Sequence, residues 1–327
     1  MSIIEKLVTK STNRLAAVTG VSRSRFLSQI DTAHILCYHS VIPDDLADQG
    51  WVAPHAVTLS AFDRQMAMVA QTECSRRLGD VAGTIAAKKP LNGPFVSITF
   101  DDGLADNVML ALPILQKYGL AATFFLSTGH IDRGDYFDGD RIRILADAHR
   151  NGRLRTRLHP ICENLLSERG YHKTVSQQEY RPFLDELWST VQHRTEPAAV
   201  EACRVLRWEE ARVLRDAGME IGAHTVNHVI LAGESAETRR VEIEESIRRV
   251  RAEMRREAVP FAFPNGQPED FDAADIDLLR DLKTNYAVST LVGPNNSQSD
   301  PLTLRRHCIG LHHRPSDIWT LLGMPSD

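Results

Sequence analysis

Cysteine is scarce in this chain, and the few present follow no pattern. Cys37, Cys74, Cys162, Cys203 and Cys308 are five among 327 residues, an odd number with no CxxC pair. That spacing excludes a disulfide framework or a structural zinc site and points to a reducing compartment. Long apolar runs are missing as well. Nothing approaches the roughly 20 residues that cross a bilayer, and no apolar segment of a secretory leader follows the start. A cytoplasmic protein is the expectation. Neither sign of charge dominates, since 38 Lys and Arg against 43 Asp and Glu leave a net charge of −5. A partner as acidic as nucleic acid is therefore not expected. Finally, no glycine-rich phosphate loop follows any apolar run, which argues against an open dinucleotide-binding sheet.

What the chain does have is enough apolar residue, 43%, for a sizeable core. Seven short apolar runs cover residues 34–39, 95–100, 121–126, 219–223, 259–263, 286–290 and 302–306. Most are separated by helical patterns, as in βα units around a parallel sheet. Helices are expected at 60–72, with Ser60 as N-cap, from Gly103 to about Tyr118, at 208–217 and at 235–257. Gly119 reads as a helix stop, and the Glu and Arg of the 235–257 helix read as a solvated face. Residues 129–207 break the rhythm and read as a mainly helical insertion. The chain thus divides into an N-terminal segment, 1–30, and a barrel, 31–327, carrying that insertion.

In the first segment Lys6, Lys10, Arg14, Arg23 and Arg25 alternate with Ile3, Ile4, Leu7, Leu15, Val18, Phe26 and Leu27. A helix packed on the barrel is the simpler reading. Peripheral contact with the inner face of an anionic membrane is the other.

Two clusters carry chemistry. Asp101 and Asp102 stand where an apolar run ends at Gly103, and in α/β barrels reactive side chains collect at that strand edge. Taken alone, Asp-Asp-Gly is also an ordinary turn. His224 and His228 follow another run, and histidines at i and i+4 point the same way on one helical turn. Together the clusters offer two imidazoles, one carboxylate and a spare carboxylate, a donor set suited to zinc or a similar divalent ion. Such an ion polarises a carbonyl, the spare carboxylate accepts a proton from attacking water, and a histidine can protonate a leaving amine.

These residues resemble the polysaccharide deacetylases, the NodB-homology group of carbohydrate esterases. Thr99-Phe100-Asp101-Asp102-Gly103 and His224-Thr225-Val226-Asn227-His228 look like the first two motifs of that family, and Phe261-Ala262-Phe263-Pro264-Asn265-Gly266 is similar to the third. Tyr38-His39-Ser40, Ala111–Leu115 and Ala122–Phe125 agree with it too, so the resemblance runs from about residue 34 to 310. It implies a distorted (β/α)7 barrel that hydrolyses the acetyl group of an amino sugar in a glycan or glycan precursor. By the same resemblance Asp101 is the base and Asp102, His224 and His228 hold the metal, commonly zinc. Phe263, Pro264, Asn265 and Gly266 would line the substrate groove, the amide after the aspartates would hold the oxyanion, and His39 would lie near the site.

Two positions depart from the family. An arginine that orients the base often opens the third motif, and here that position is Ala262, with Arg305 or Arg306 as possible substitutes. The acid histidine of the last motif corresponds in letters to Leu311-His312-His313, whereas His307 stands closer to the strand end and is the expected acid. Rival readings are a hydrolase of small cyclic amides, a mononuclear iron oxygenase, and a glycan-binding module without turnover. The insertion is the expected place for substrate selection.

Overall fold

The computed structural model describes residues 21–154, 158–167, 175 and 177–324. Seven parallel strands form one sheet: β1 (Thr32–Tyr38), β4 (Pro94–Phe100), β5 (Ala122–Leu126), β6 (Glu220–Ala223), β7 (Phe261–Ala262), β8 (Ala287–Val288) and β9 (His307–Cys308). A small parallel pair, β2 (Ser40–Ile42) and β3 (Ala56–Thr58), stands beside it. The sheet order is β8-β7-β6-β5-β4-β1-β9. β1 and β5 are buried along their whole length and β4 along most of its own, so these strands read as continuous apolar runs rather than alternations.

The sheet curls until its two edges meet in one segment. Leu304 bridges Val288 at the β8 edge, and three residues later His307–Cys308 pair with Leu36 and Cys37 of β1. The seventh strand was expected at 302–306. Because this segment hands over from one edge to the other, its regular ladder is short and falls at His307–Cys308 instead. The result is a distorted seven-stranded barrel.

Helices cover the outside. After α1 (Val21–Leu27) come α2 (Leu59–Ala70) and α3 (Leu78–Ala86). The N-cap of α2 is Thr58, whose hydroxyl accepts from the Ala61 amide, while the expected cap, Ser60, donates to Asp44. A π-turn at Asn107–Ala111 leads into α4 (Leu112–Lys117), which stops before Gly119, in the left-handed region at φ 64°. Between β5 and β6 lie α5 (Thr128–Arg133), α6 (Asp138–Arg150), α7 (Pro160–Ser167), α8 (Gln177–Val191), α9 (Pro197–Ala202) and α10 (Trp208–Asp216). Then follow α11 (Ala236–Met254), α12 (Ala273–Asp281) and α13 (Asp317–Leu322).

Residues 1–20 lie outside the described residues, and so does most of the expected basic amphipathic segment. Its described part packs on the barrel: Phe26 is fully buried, with its ring 5.8 Å from that of His34. Among the described residues no helix is long and apolar enough to cross a membrane. Helices α6 to α9 have an apolar cluster of their own, including Leu145, Leu165, Leu184 and Trp188. Trp51, from the loop joining β2 to β3, inserts into that cluster.

Candidate metal centre

β4 ends at Phe100, and the next two residues turn into the mouth of the barrel. The Asp101 amide still bonds the Tyr38 carbonyl at 3.0 Å, so the first aspartate continues the β1–β4 pairing. Asp102 leaves it, with φ 75°, followed by Gly103 at φ 82°. A Cβ on Gly103 would come within 2.8 Å of the Leu126 side chain, so glycine satisfies both the turn and the packing. The Gly103 amide is bonded to the Asp101 carbonyl at 2.9 Å. It is therefore not available for the oxyanion role expected of the amide after the aspartates.

The histidines leave β6 in a loop, and not on the helical turn expected from their spacing. Thr225 (φ 60°) and His228 (φ 53°) both occupy the left-handed region, which is costly for residues with a Cβ. Neighbouring elements hold that shape. Glu242 of α11 accepts from the amides of Val226 and Asn227, each at 2.8 Å, and from Asn227 Nδ2 at 2.7 Å. The Gly129 amide bonds the Val226 carbonyl at 2.8 Å. Glu242 is buried, so the expected solvated face of its helix does not extend to it.

This loop brings His224 Nε2 to 3.6 Å and His228 Nε2 to 3.3 Å from Asp102 Oδ1. One ligand atom from each of the three residues lies within 4.8 Å of the other two. His224 Nδ1 donates to the Ala262 carbonyl at 2.7 Å, which fixes the tautomer and leaves Nε2 free to coordinate. Asp102 Oδ1 is buried and has no hydrogen-bond partner. A buried acceptor facing two imidazole nitrogens without a hydrogen bond fits a divalent cation. Burial alone would raise the Asp102 carboxyl, but the two imidazoles outweigh it and hold it well below its usual range.

Asp101 faces a different partner. Arg306 Nη1 and Nη2 donate to its Oδ1 and Oδ2, both at 2.7 Å, and Arg306 is fully buried. The same guanidinium donates from Nε to the Ser289 carbonyl at 2.7 Å and from Nη1 to Thr99 Oγ1 at 3.2 Å. Burial pushes the Asp101 carboxyl up, and the guanidinium, helped by His224 and His39, more than offsets this, leaving it at about 2. The arginine missing at Ala262 is thus replaced from the segment that runs from the edge of β8 into β9, two strands away from β7 around the barrel. Of the two candidates it is Arg306 that reaches the site; Arg305 is exposed beside Gly293. The buried Cys37 thiol also donates to Asp101 Oδ2 at 3.6 Å.

His307 does not join the cluster. Its Nε2 lies 3.1 Å from Nδ1 of His34, whose ring packs against Phe26 outside the barrel. Successive residues of a strand face opposite sides, so Arg306 facing in puts His307 out. His312 is exposed, and His313 Nδ1 accepts from the Gly310 amide at 3.1 Å. His39 does lie near the site. Burial lowers its imidazole, opposed by Asp102 and Asp101, and its Nδ1 is buried without a partner. His55, which no sequence pattern singles out, packs against it with tilted rings whose centroids are 4.5 Å apart. It sits in an irregular loop, where no spacing or periodicity marks it.

Phe263 is a core residue, stacked on Phe271 at 3.9 Å, rather than part of a groove. Pro264, Asn265 and Gly266 form the turn after β7, tied down by Asp270 and Thr290. From α6, Phe137 sets its ring edge-on to His228, with centroids 5.3 Å apart.

Comparison with known proteins gives the family and the fold. The polysaccharide deacetylase family model matches residues 88–287. No curated protein sequence matches the chain. Among solved structures, the deacetylase PplD of Streptococcus pyogenes, solved with acetate, superposes with a TM-score of 0.60 at 19% identity, covering 91% of this chain and 100% of its own. IcaB of Ammonifex degensii gives 0.56 at 15% identity, with 90% and 96% covered. A de-N-acetylase of Aggregatibacter actinomycetemcomitans gives 0.57 at 16% identity, with 89% and 100% covered. With the family model spanning more than half of it, the chain belongs to the polysaccharide deacetylase family.

Proposed function

We propose that this protein is a metal-dependent hydrolase that removes the acetyl group from an acetylated amino sugar of a glycan or glycan precursor. The carrying observation is the division of labour between adjacent carboxylates: Asp102 faces two imidazoles, and Asp101 is clamped by Arg306. Asp102, His224 and His228 would hold the ion, and two imidazoles with one carboxylate suit zinc. Bound there, a divalent ion supplies Lewis-acid polarisation of the acetyl carbonyl.

The remaining work belongs to side chains. Asp101, ionised and held by both oxygens, accepts the proton of the attacking water. Arg306 fixes the direction of that carboxylate and stabilises its charge. The departing nitrogen needs a proton, and the one that Asp101 takes from the water balances it; His39, neutral, beside Asp101 and with an unpartnered Nδ1, is placed to relay that proton. A de-N-acetylase among the similar folds supports an N-linked acetyl group. A module without turnover loses its main argument, because Arg306 takes the place left at Ala262. A mononuclear iron oxygenase would give the clamped Asp101 no role.

Acetate release from an N-acetylglucosamine oligomer, read together with metal content, tests the reading. Asp101→Asn should keep the metal and lose about 10²–10⁴-fold in turnover. His228→Ala should lose both. Wild-type turnover in Asp101→Asn would sink the assignment of the base.

A further inference from the structure

One face of α6 looks into the site and is not used by the chemistry above. Phe137, its N-cap, touches His228, and Asp140 and Arg143 follow at intervals of three, on the same side of the helix. Asp147 and Arg150 continue that side, and both meet Gly50 in the loop between β2 and β3. His55 lies at the end of the same loop. The charge of Asp140 is felt by His228 and Asp102, and that of Arg143 by His55. The two residues form an ion pair, Arg143 Nη2 to Asp140 Oδ1. Arg143 Nε is buried with no partner, although the guanidinium remains partly accessible. The opposite side of the same turn is spent on structure: Asp138 and Arg141 pair with each other, and Tyr180 and Asp185 of α8 complete that network.

We infer that Asp140 and Arg143 are specificity-determining residues that bind ring hydroxyls of an uncharged sugar unit on the side of the site where α6 comes up to His228. This rests on the deacetylase reading and deepens it. A carboxylate paired with a guanidinium presents acceptors and donors side by side with no net charge, which suits vicinal hydroxyls better than an anionic group. The unpartnered Nε donor is the kind of group that a ligand satisfies. Because both residues sit on a helix packed against its own apolar cluster, the pair is preorganised rather than flexible.

The experiment uses the metal-loaded full chain and the N-acetylglucosamine pentamer. Arg143→Gln should raise KM about tenfold or more, as expected for a lost hydrogen bond to a charged group, while kcat changes less than about threefold. Arg143→Lys, which keeps charge but not the fork, should fall between the two, and Asp140→Asn should move KM in the same direction. An unchanged KM overturns the inference. So does a fall in kcat that follows a loss of thermal stability, because that marks a packing role. If the wild-type protein releases no acetate from the pentamer, the deacetylase reading fails separately. The inference is then decided by calorimetric binding of the pentamer: binding about tenfold weaker in Arg143→Gln upholds it, and equal affinity or no binding overturns it.

Discussion

Arg306 and His307 are neighbours in the chain with opposite surroundings. Arg306 is buried against Asp101, and its value lies in geometry as much as in charge. Arg306→Gln leaves a buried carboxylate without its fork and should destabilise the fold by about 3–5 kcal/mol. Arg306→Lys keeps the charge and should be milder in stability, yet still lose turnover. Urea unfolding and acetate release measure both, and a neutral Arg306→Gln would show that the clamp does not matter. His307 and His34 are a buried pair, and burial lowers their imidazoles to about 4 and about 3. Both therefore stay neutral in the folded protein where the unfolded chain, near 6.5, already takes up protons. Their contribution is complete above about pH 6.5 and is lost as the pH falls toward 4. His307→Asn should flatten the pH dependence of unfolding free energy between about pH 6.5 and 4, the lost slope integrating to on the order of 3 kcal/mol. Urea titrations across that range check it, and an unchanged slope would contradict the pairing.

At the scale of elements, the candidate metal centre depends on a loop that would not keep its shape alone. Thr225 and His228 hold positive φ, and α11 pins the turn between them through one carboxylate. Glu242→Ala removes three acceptor contacts from the 225–228 loop without touching a ligand. Metal affinity should fall about 10–100-fold, as for other changes behind coordinating histidines. A fluorescent zinc competitor measures this, and wild-type affinity in Glu242→Ala would show that the loop holds itself.

On the scale of the whole molecule, the barrel supplies the candidate ligands while the helices after β5 supply one wall of the site. Trp51 joins the two, since it belongs to the loop between β2 and β3 and is buried in the cluster of α6 to α9. Trp51→Ala should cost about 3–5 kcal/mol and loosen this loop, including His55, before the strands. Hydrogen exchange should rise at residues 44–56 while β1 and β4 remain protected. Uniform loss of protection would show that Trp51 supports the barrel as a whole.

Much of this protein is readable from local pattern. Seven apolar runs place the parallel strands, because strands buried on both faces need continuous hydrophobic residues. Asp101, Asp102, His224 and His228 are legible because reactive groups gather at the strand ends of such a barrel. What the chain could not reveal by itself is which distant side chains meet those four. Arg306 rather than Arg305 faces Asp101 because strand alternation and the handover between two sheet edges decide it. His307 turns outward for the same reason. Glu242 is one Glu among many on a charged helix, and only packing against the 225–228 loop sets it apart. His55, Asp140 and Arg143 come to the site through the docking of a loop onto an insertion, a contact between segments some ninety residues apart that no local periodicity encodes.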